Sequence, residues 1–402
     1  RLLVNTDYDV KGYVQAKGHI GGSLYNPNFN GSVTSNFLTI NGEGITNISG
    51  TLYADKTVVN LEKFEFDEEQ GGHYMARAGM STVGDKRLFG TLQVTNGRIS
   101  NLLSLLGKPV DKLDGSLSGT VDLGGTYGNP SLNVVGSIKD VTIDTKVVGD
   151  AKIDASLENR KFKIRTLKLP VDDGLIAAGG TVDLDGDADL QIAVRDVDIE
   201  PFLPLIGDNI NATGSITGVI NMTGATKNPK VELSASLANG SYNGIDIDQG
   251  FVLATMENHV INVQRIQGVK EDYKISAYGK IPLAALYTTG YLDANDSKAM
   301  DMTIDFNEAD MAVIPLITST VKDATGALKG VVHVTGTIDQ PEAYGTVSVR
   351  NGTMKIKNVG NELKDIDGDL IFSGQQADFQ SRISAGKGTA GLAAKVNWTG
   401  HT

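Results

Sequence analysis

Gly386-Lys387-Gly388-Thr389-Ala390-Gly391 satisfies the GxGxxG spacing that cradles a dinucleotide, provided the motif follows a strand and opens a helix. Here the alternating residues Leu392, Ala394, Val396 and Trp398 follow it, so the spacing predicts a hairpin turn leading into a strand. Asp183-Leu184-Asp185-Gly186-Asp187-Ala188-Asp189 has the acidic rhythm of a calcium loop. Ala188 stands where an EF-hand needs glycine, and Val194 where it needs a bidentate glutamate, so a solvated acidic turn is expected. The five histidines, His19, His73, His259, His333 and His401, have no metal-ligand spacing. Zero cysteines exclude thiol catalysis, Cys-ligated metal and a disulfide framework. Glu68 and Glu69 are adjacent carboxylates in a polar stretch expected to be exposed; on a strand they point to opposite faces and cannot flank one sugar. There is no Gly-x-Ser-x-Gly elbow and no P-loop. The reading is a non-enzyme with no catalytic residue, cofactor or metal.

Charge and composition narrow the partners. Lys plus Arg number 36 and Asp plus Glu 48, and 36 − 48 = −12, so nothing supplies the phosphate-neutralising term that nucleic acid requires. Glycine is about 12% of the chain (48 of 402) against a usual value of roughly 7%, the signature of many strands and turns. No run approaches the length of apolar residues needed to cross a bilayer as a helix.

The elements around these residues repeat. Gly22…Asn26-Pro27, Gly125…Asn129-Pro130, Gly224…Asn228-Pro229 and Gly336…Gln340-Pro341 read alike, with prolines 103, 99 and 112 residues apart. Fifteen residues before each proline stands a glycine: Gly12, Gly115, Gly214 and Gly326. Eleven before it stand Gly119, Gly218 and Gly330, with Ala16 in the first copy. Farther upstream, three copies carry an apolar quartet at i, i+1, i+3 and i+4: Leu102/Leu103/Leu105/Leu106, Phe202/Leu203/Leu205/Ile206 and Val313/Ile314/Leu316/Ile317. That spacing predicts a short amphipathic helix in each, with Ser100, Asp198 and Asp310 as N-caps. The register divides the chain into repeats at 1–99, 100–197, 198–309 and 310–402, the first expected to be cut at its N-terminal side and the last at its C-terminal side.

Between these landmarks the period is two, as in Met300-Asp301-Met302-Thr303-Ile304-Asp305-Phe306 and Val231-Glu232-Leu233-Ser234. Asn96-Gly97, Asp114-Gly115, Asp185-Gly186, Asn239-Gly240, Asn243-Gly244, Asn351-Gly352 and Asp367-Gly368 suit hairpin turns. At about 11 residues per strand the chain would hold about 36 strands. One short helix per hundred residues cannot cover that many, and no linker separates the repeats into sandwiches. The expected fold is therefore all-β with a few short helices: a long curled antiparallel sheet forming one continuous groove, its apolar face inward. The alternating positions predicted to line it are Val121, Leu123, Leu190, Ile192, Val231, Leu233, Met302, Ile304, Phe306, Val347, Val349, Leu370 and Phe372. Such a lining suits acyl chains, since each CH₂ removed from water gains about 0.8 kcal/mol. The rival is a surface adhesin or stalk of tandem Ig-like sandwiches, whose domains are also about 100 residues long.

The Gly-[Thr/Ser]-x-x-Asn-Pro turn, the preceding Gly-x-hydrophobic-x-hydrophobic strand and the Leu-Leu-x-Leu-Leu helix together resemble the repeats of the TamB family, within the AsmA-like superfamily of bridge-like lipid-transfer proteins. The clearest copy runs from Leu102 through Gly115, Gly119, Gly125, Asn129 and Pro130 to Ile138. The resemblance implies a periplasmic, taco-shaped β-structure that carries phospholipid along a hydrophobic groove between inner and outer membranes and supports outer-membrane biogenesis. It also implies a longer protein with an inner-membrane anchor, and a barrel partner of the Omp85 type. The region engaging that barrel is not recognisable in these residues.

Overall fold

The computed structural model describes residues 8–398 apart from 70, 106, 108–111, 206–210, 243–244, 272, 287–296, 315–319, 358–361 and 386–387. The chain forms two compact units, Arg1–Val197 with Pro204–Asp208 and Asp198–Leu203 with Asn209–Thr402. In the first, the strands are β1 (Val10–Gly12), β2 (Gln15–Gly22), β3 (Pro27–Ile40), β4 (Glu43–Ala54) and β5 (Val58–Glu68). They continue as β6 (His73–Ser81), β7 (Leu88–Arg98), β8 (Leu113–Thr126) and β9 (Asn129–Ile143). The last four are β10 (Lys146–Glu158), β11 (Lys161–Val171), β12 (Gly174–Asp183) and β13 (Asp187–Asp198). The second unit contains β14 (Ala212–Ala225), β15 (Lys230–Tyr242), β16 (Ile245–Glu257), β17 (Val260–Lys270), β18 (Tyr273–Pro282) and β19 (Met300–Asp310). It ends with β20 (Val321–Gly336), β21 (Pro341–Ile356), β22 (Leu363–Gly374), β23 (Gln376–Ala385) and β24 (Gly388–Asn397).

Every described pairing is antiparallel, and within each unit strands pair with their neighbours in sequence, β1 and β2 both lying along β3. No described strand returns to close a barrel, so each unit is an open meander. Among the described residues helix is confined to α1 (Ile99–Leu105), α2 (Leu283–Leu286) and the 3-10 turns Glu200–Leu205 and Met311–Val313. Three of these occupy the connections where the apolar quartets stand; α2 carries none of the predicted quartets. Leu106, Ile206, Leu316 and Ile317 of those quartets lie outside the described residues.

The strand number is 24 among the described residues, not about 36, because most strands run 10–16 residues and the turns and helical connections between them take up further residues. Most Asn-Gly and Asp-Gly pairs are not hairpin turns. Asn96, Asn239 and Asn351 have φ of 54°, 48° and 53° inside β7, β15 and β21, where the ladders slip register at Val94/Gly97, Thr213/Ser215 and Val349/Gly352. They mark β-bulges, which keep the strand running while bending it and raising its twist. Asp114-Gly115 and Asp367-Gly368 likewise lie within β8 and β22. Only Asp185-Gly186 turns the chain; Asn243-Gly244 lies outside the described residues.

The repeat glycines are fixed by conformation. Gly22, Gly125, Gly224 and Gly336 have φ of 82°, 77°, 80° and 80°, and a Cβ on Gly125 would lie 2.4 Å from the Asn129 carbonyl oxygen. Only glycine enters that turn without strain. Its partner residue also has work to do: Asn129 Nδ2 donates to Asn159 Oδ1 and Asn228 Nδ2 to Asn258 Oδ1, each at 2.7 Å. The asparagine of one turn thereby ties down the next turn along the same edge.

Candidate functional site

Cross-strand partners share a face, so the ladders can be followed as rows. In the first unit Val33, Gly50, Phe64, Ala76, Leu92, Val121, Val134, Ala155, Ile164, Gly180 and Leu190 are successive partners from β3 to β13. No polar side chain interrupts the row. On the other face Arg77, Thr91, Asp122, Asn133, Ser156, Lys163, Thr181 and Asp189 are partners from β6 to β13. The second unit repeats the pattern with Gly218, Ala235, Val252, Ile266, Ala277, Ile304, Val332, Gly345, Phe372, Ala377 and Val396 from β14 to β24.

Each predicted lining residue falls on the apolar face of its unit, and they differ in cover. Val121, Leu123, Leu190 and Ile192 are half-buried in the first unit, as are Val231, Leu233, Ile304, Phe306, Leu370 and Phe372 in the second. Met302, Val347 and Val349 are instead fully buried, at 8%, 6% and 4% exposure. Val347 and Val349 belong to a closed cluster with Met311, Val332 and Ile366, against which Phe306, Phe372 and Trp398 pack. These three valine and methionine side chains already have protein neighbours and are not an open lining.

The short helices account for part of that cover. Leu105 of α1 packs against Leu38, Ile45 and Ile48, and Leu203 of the turn Glu200–Leu205 is buried. Met311 lies so close over β20 and β21 that a Cβ on Gly352 would sit 2.6 Å from its Sδ. Two buried carboxylates anchor such segments. Asp310 is the N-cap as expected, its Oδ1 accepting from Ala312 N and its Oδ2 from Gly326 N, both at 2.8 Å. Ser100 is not a cap. The helix starts at Ile99, and the first turn is held by Asp114, which accepts from Ser100 N at 3.3 Å, and by Glu68, which accepts from Arg98 N at 3.1 Å.

Glu68 corrects the expectation of an exposed acidic pair: it is 3% exposed, while Glu69 is exposed. The Tyr74 hydroxyl donates to its carboxylate, and the Tyr74 ring stacks on Phe66 at 4.6 Å. Burial, then that hydrogen bond, pushes the Tyr74 phenol well above its ordinary value, so it stays a donor. This is a satisfied structural carboxylate, tied to helix placement. The signal for it lay in the aromatic neighbours Phe66 and Tyr74 two and six residues away.

The remaining chemistry-bearing motifs resolve simply. Asp185 of the acidic turn is paired with Arg160, whose guanidinium is held above its ordinary pKa chiefly by that hydrogen bond. Gly388 opens β24, a strand as the alternation predicts, while Gly386 and Lys387 lie outside the described residues. Among the described residues no three His, Asp or Glu side chains are grouped to hold a metal ion. No described helix is long and apolar enough to cross a membrane.

The apolar face also forms a cleft. Across β2 to β5, Phe29, Val33, Leu52, Leu61 and Phe64 border a space of about 380 Å³ floored by Gly31 and Gly50. Phe29 is 36% exposed and Ile20, on the same face of β2, 77%. Sequence reading overlooked this stretch, because glycines at 31 and 50 interrupt the alternation. The chain matches no protein-family model, no curated protein and no solved structure.

Proposed function

We propose that the apolar faces bind phospholipid acyl chains and allow them to pass from strand to strand, making this a non-enzymatic lipid carrier. The observation that carries the proposal is the apolar row from Val33 to Leu190, unbroken through eleven strands and half-buried at every side chain larger than glycine. An apolar surface that long and that incompletely covered is a binding surface in water. A 16-carbon chain laid along it gains roughly 10 kcal/mol from desolvation, less the cost of ordering it. Equivalent rungs at each strand make neighbouring positions similar in energy, so movement needs no large step. The meander lacks the Greek-key crossings of an Ig-like sandwich, which argues against the stalk reading.

The resemblance to TamB-family repeats extends the proposal. The chain would act in the periplasm as part of a longer, inner-membrane-anchored protein and would serve outer-membrane biogenesis. A barrel of the Omp85 type would be engaged through a region not recognisable in these residues.

Val134 and Val135 supply the test, because they are adjacent valines on opposite faces. A photo-crosslinking residue at 134 is expected to label co-purified or added phospholipid, and one at 135 is not. Native mass spectrometry of gently purified protein is expected to show bound phospholipid, reduced by Ile304→Arg and unaffected by Asp305→Asn. Equal labelling at 134 and 135, or protein free of lipid, would overturn the reading.

A further inference from the structure

The polar face of the first unit carries a second concavity, with chemistry unlike that of the apolar face. Between β5 and β7 a cleft of about 570 Å³ is bordered by Asn60, Met75, Arg77, Phe89, Thr91 and Gln93. The register places all six on the polar face: Asn60 and Phe89 flank Gly79, Arg77 faces Thr91, and Met75 faces Gln93. Phe89 is out of place there. It is 47% exposed, with its ring lying over Gly79 so closely that a Cβ on that glycine would fall 2.3 Å from Phe89 Cζ and 3.1 Å from Asn60 Oδ1. The glycine lets the ring lie down on the sheet as the floor of the cleft. Around it stand two carboxamides and a guanidinium, together offering several donors and two carbonyl acceptors. Thr91 Oγ1 donates to Asp122 Oδ1 at 3.0 Å and keeps its lone pairs free to accept.

A ligand for this arrangement needs one apolar face to lie on a ring and a rim of hydroxyls to meet amides and guanidinium. A pyranose has both: its axial C–H bonds make one face apolar and electropositive, which the negative face of an aromatic ring attracts, and its hydroxyls radiate from the edge. We propose that this cleft is a binding site for one unit of a neutral glycan, with Phe89 as the platform and Asn60, Arg77 and Gln93 as the hydroxyl-reading groups. The site is independent of lipid binding, being on the opposite face. Asp122, beyond Thr91, disfavours a strongly acidic sugar.

Cellotetraose, maltotetraose and tetra-N-acetylchitotetraose serve as probes, titrated into the full chain with saturation-transfer NMR. Binding of at least one, with Kd at or below about 10 mM, is expected. Phe89→Leu keeps an apolar cover on Gly79 but removes the ring, and is expected to weaken binding about tenfold; Arg77→Ala is expected to do the same. Retained β-sheet circular dichroism and unchanged lipid content in both variants would show that the sheet is intact. No binding of any probe at about 10 mM, or equal binding by Phe89→Leu, would overturn the site.

Discussion

Val134 in β9 and Val349 in β21 lie on corresponding strands of two repeats, four residues after Pro130 and eight after Pro341, each an alternating valine on the apolar face of its unit, yet Val134 is half-buried while Val349 is 4% exposed. The difference is made by what lies above the sheet. Over β20 to β22 the turn Met311–Val313 drops Met311 onto Gly326 and Gly352, and Trp398 and Phe372 approach within 6.3 Å, so a core closes without any ligand. Along β6 to β13 Leu92, Val121, Val134 and Ile164 are only half-buried, while Val94, Val141, Ile143 and Val171 on the same strands are buried. One alternating pattern thus serves two ends: a plugged region that supplies stability, and an open region whose apolar surface awaits a guest. Alternation specifies the face; cover is decided by residues elsewhere in the chain.

Substitutions at the two regions would sharpen the contrast. Ile366→Ala removes a side chain 2% exposed and is expected to cost about 2–5 kcal/mol, read by the fluorescence of Trp398 during denaturant unfolding. Ile164→Ala, at a half-buried position, is expected to cost no more than about 1–2 kcal/mol by hydrogen exchange of β11. Equal costs would erase the distinction between plugged and open regions. Next in size, Asp310→Ala leaves the amides of Ala312 and Gly326 without their acceptor and is expected to cost about 1–3 kcal/mol, loosening Met311 from the sheet and speeding exchange of the Gly326 amide. Gly125→Ala forces a Cβ into a φ of 77° and is expected to cost about 1–2 kcal/mol in the first unit, seen as a lower thermal midpoint.

The smallest effect is a pH dependence at a turn of the first unit. Asp55 accepts from Thr57 N, Thr57 Oγ1, Val58 N and the Tyr53 hydroxyl, and these bonds, the Thr57 amide first, lower its pKa from 3.8 to about 2. A depressed carboxylate stabilises the fold above its unfolded pKa. That contribution is expected to be complete above about pH 4 and lost as pH falls toward 2, with the Val58 amide exchanging faster. A Val58 exchange profile that stays flat after correction for intrinsic exchange would show that the turn is held by other means.

Much of the fold is legible in the sequence because it depends on local pattern. The alternation of Val121 with Leu123 and of Leu190 with Ile192 gives the face directly, and the four matched glycines give the repeat because each needs a positive φ. The Asn-Gly pairs mislead because the same left-handed backbone serves a hairpin turn and a bulge; which one forms depends on whether the partner strand continues. Burial of Val349 is not legible at all, since it depends on a methionine 38 residues earlier in the chain. Glu68 hides for a related reason: its partners Arg98 and Asn101 arrive through a helix connection. Phe89 reads as one more apolar strand residue until the register puts it on the polar side.

The neighbour-to-neighbour pairing also bears on how such a chain reaches its folded state. Even Met300 and Gly336, partners on either side of a helical turn, are 36 residues apart in a chain of 402. From β3 onward within each unit, each new strand finds its docking edge already laid down by the one before it, so little loop-closure entropy stands in the way. A polypeptide of this kind can zip up progressively while it is still emerging from a narrow exit, first hairpin first, with no wait for its far terminus.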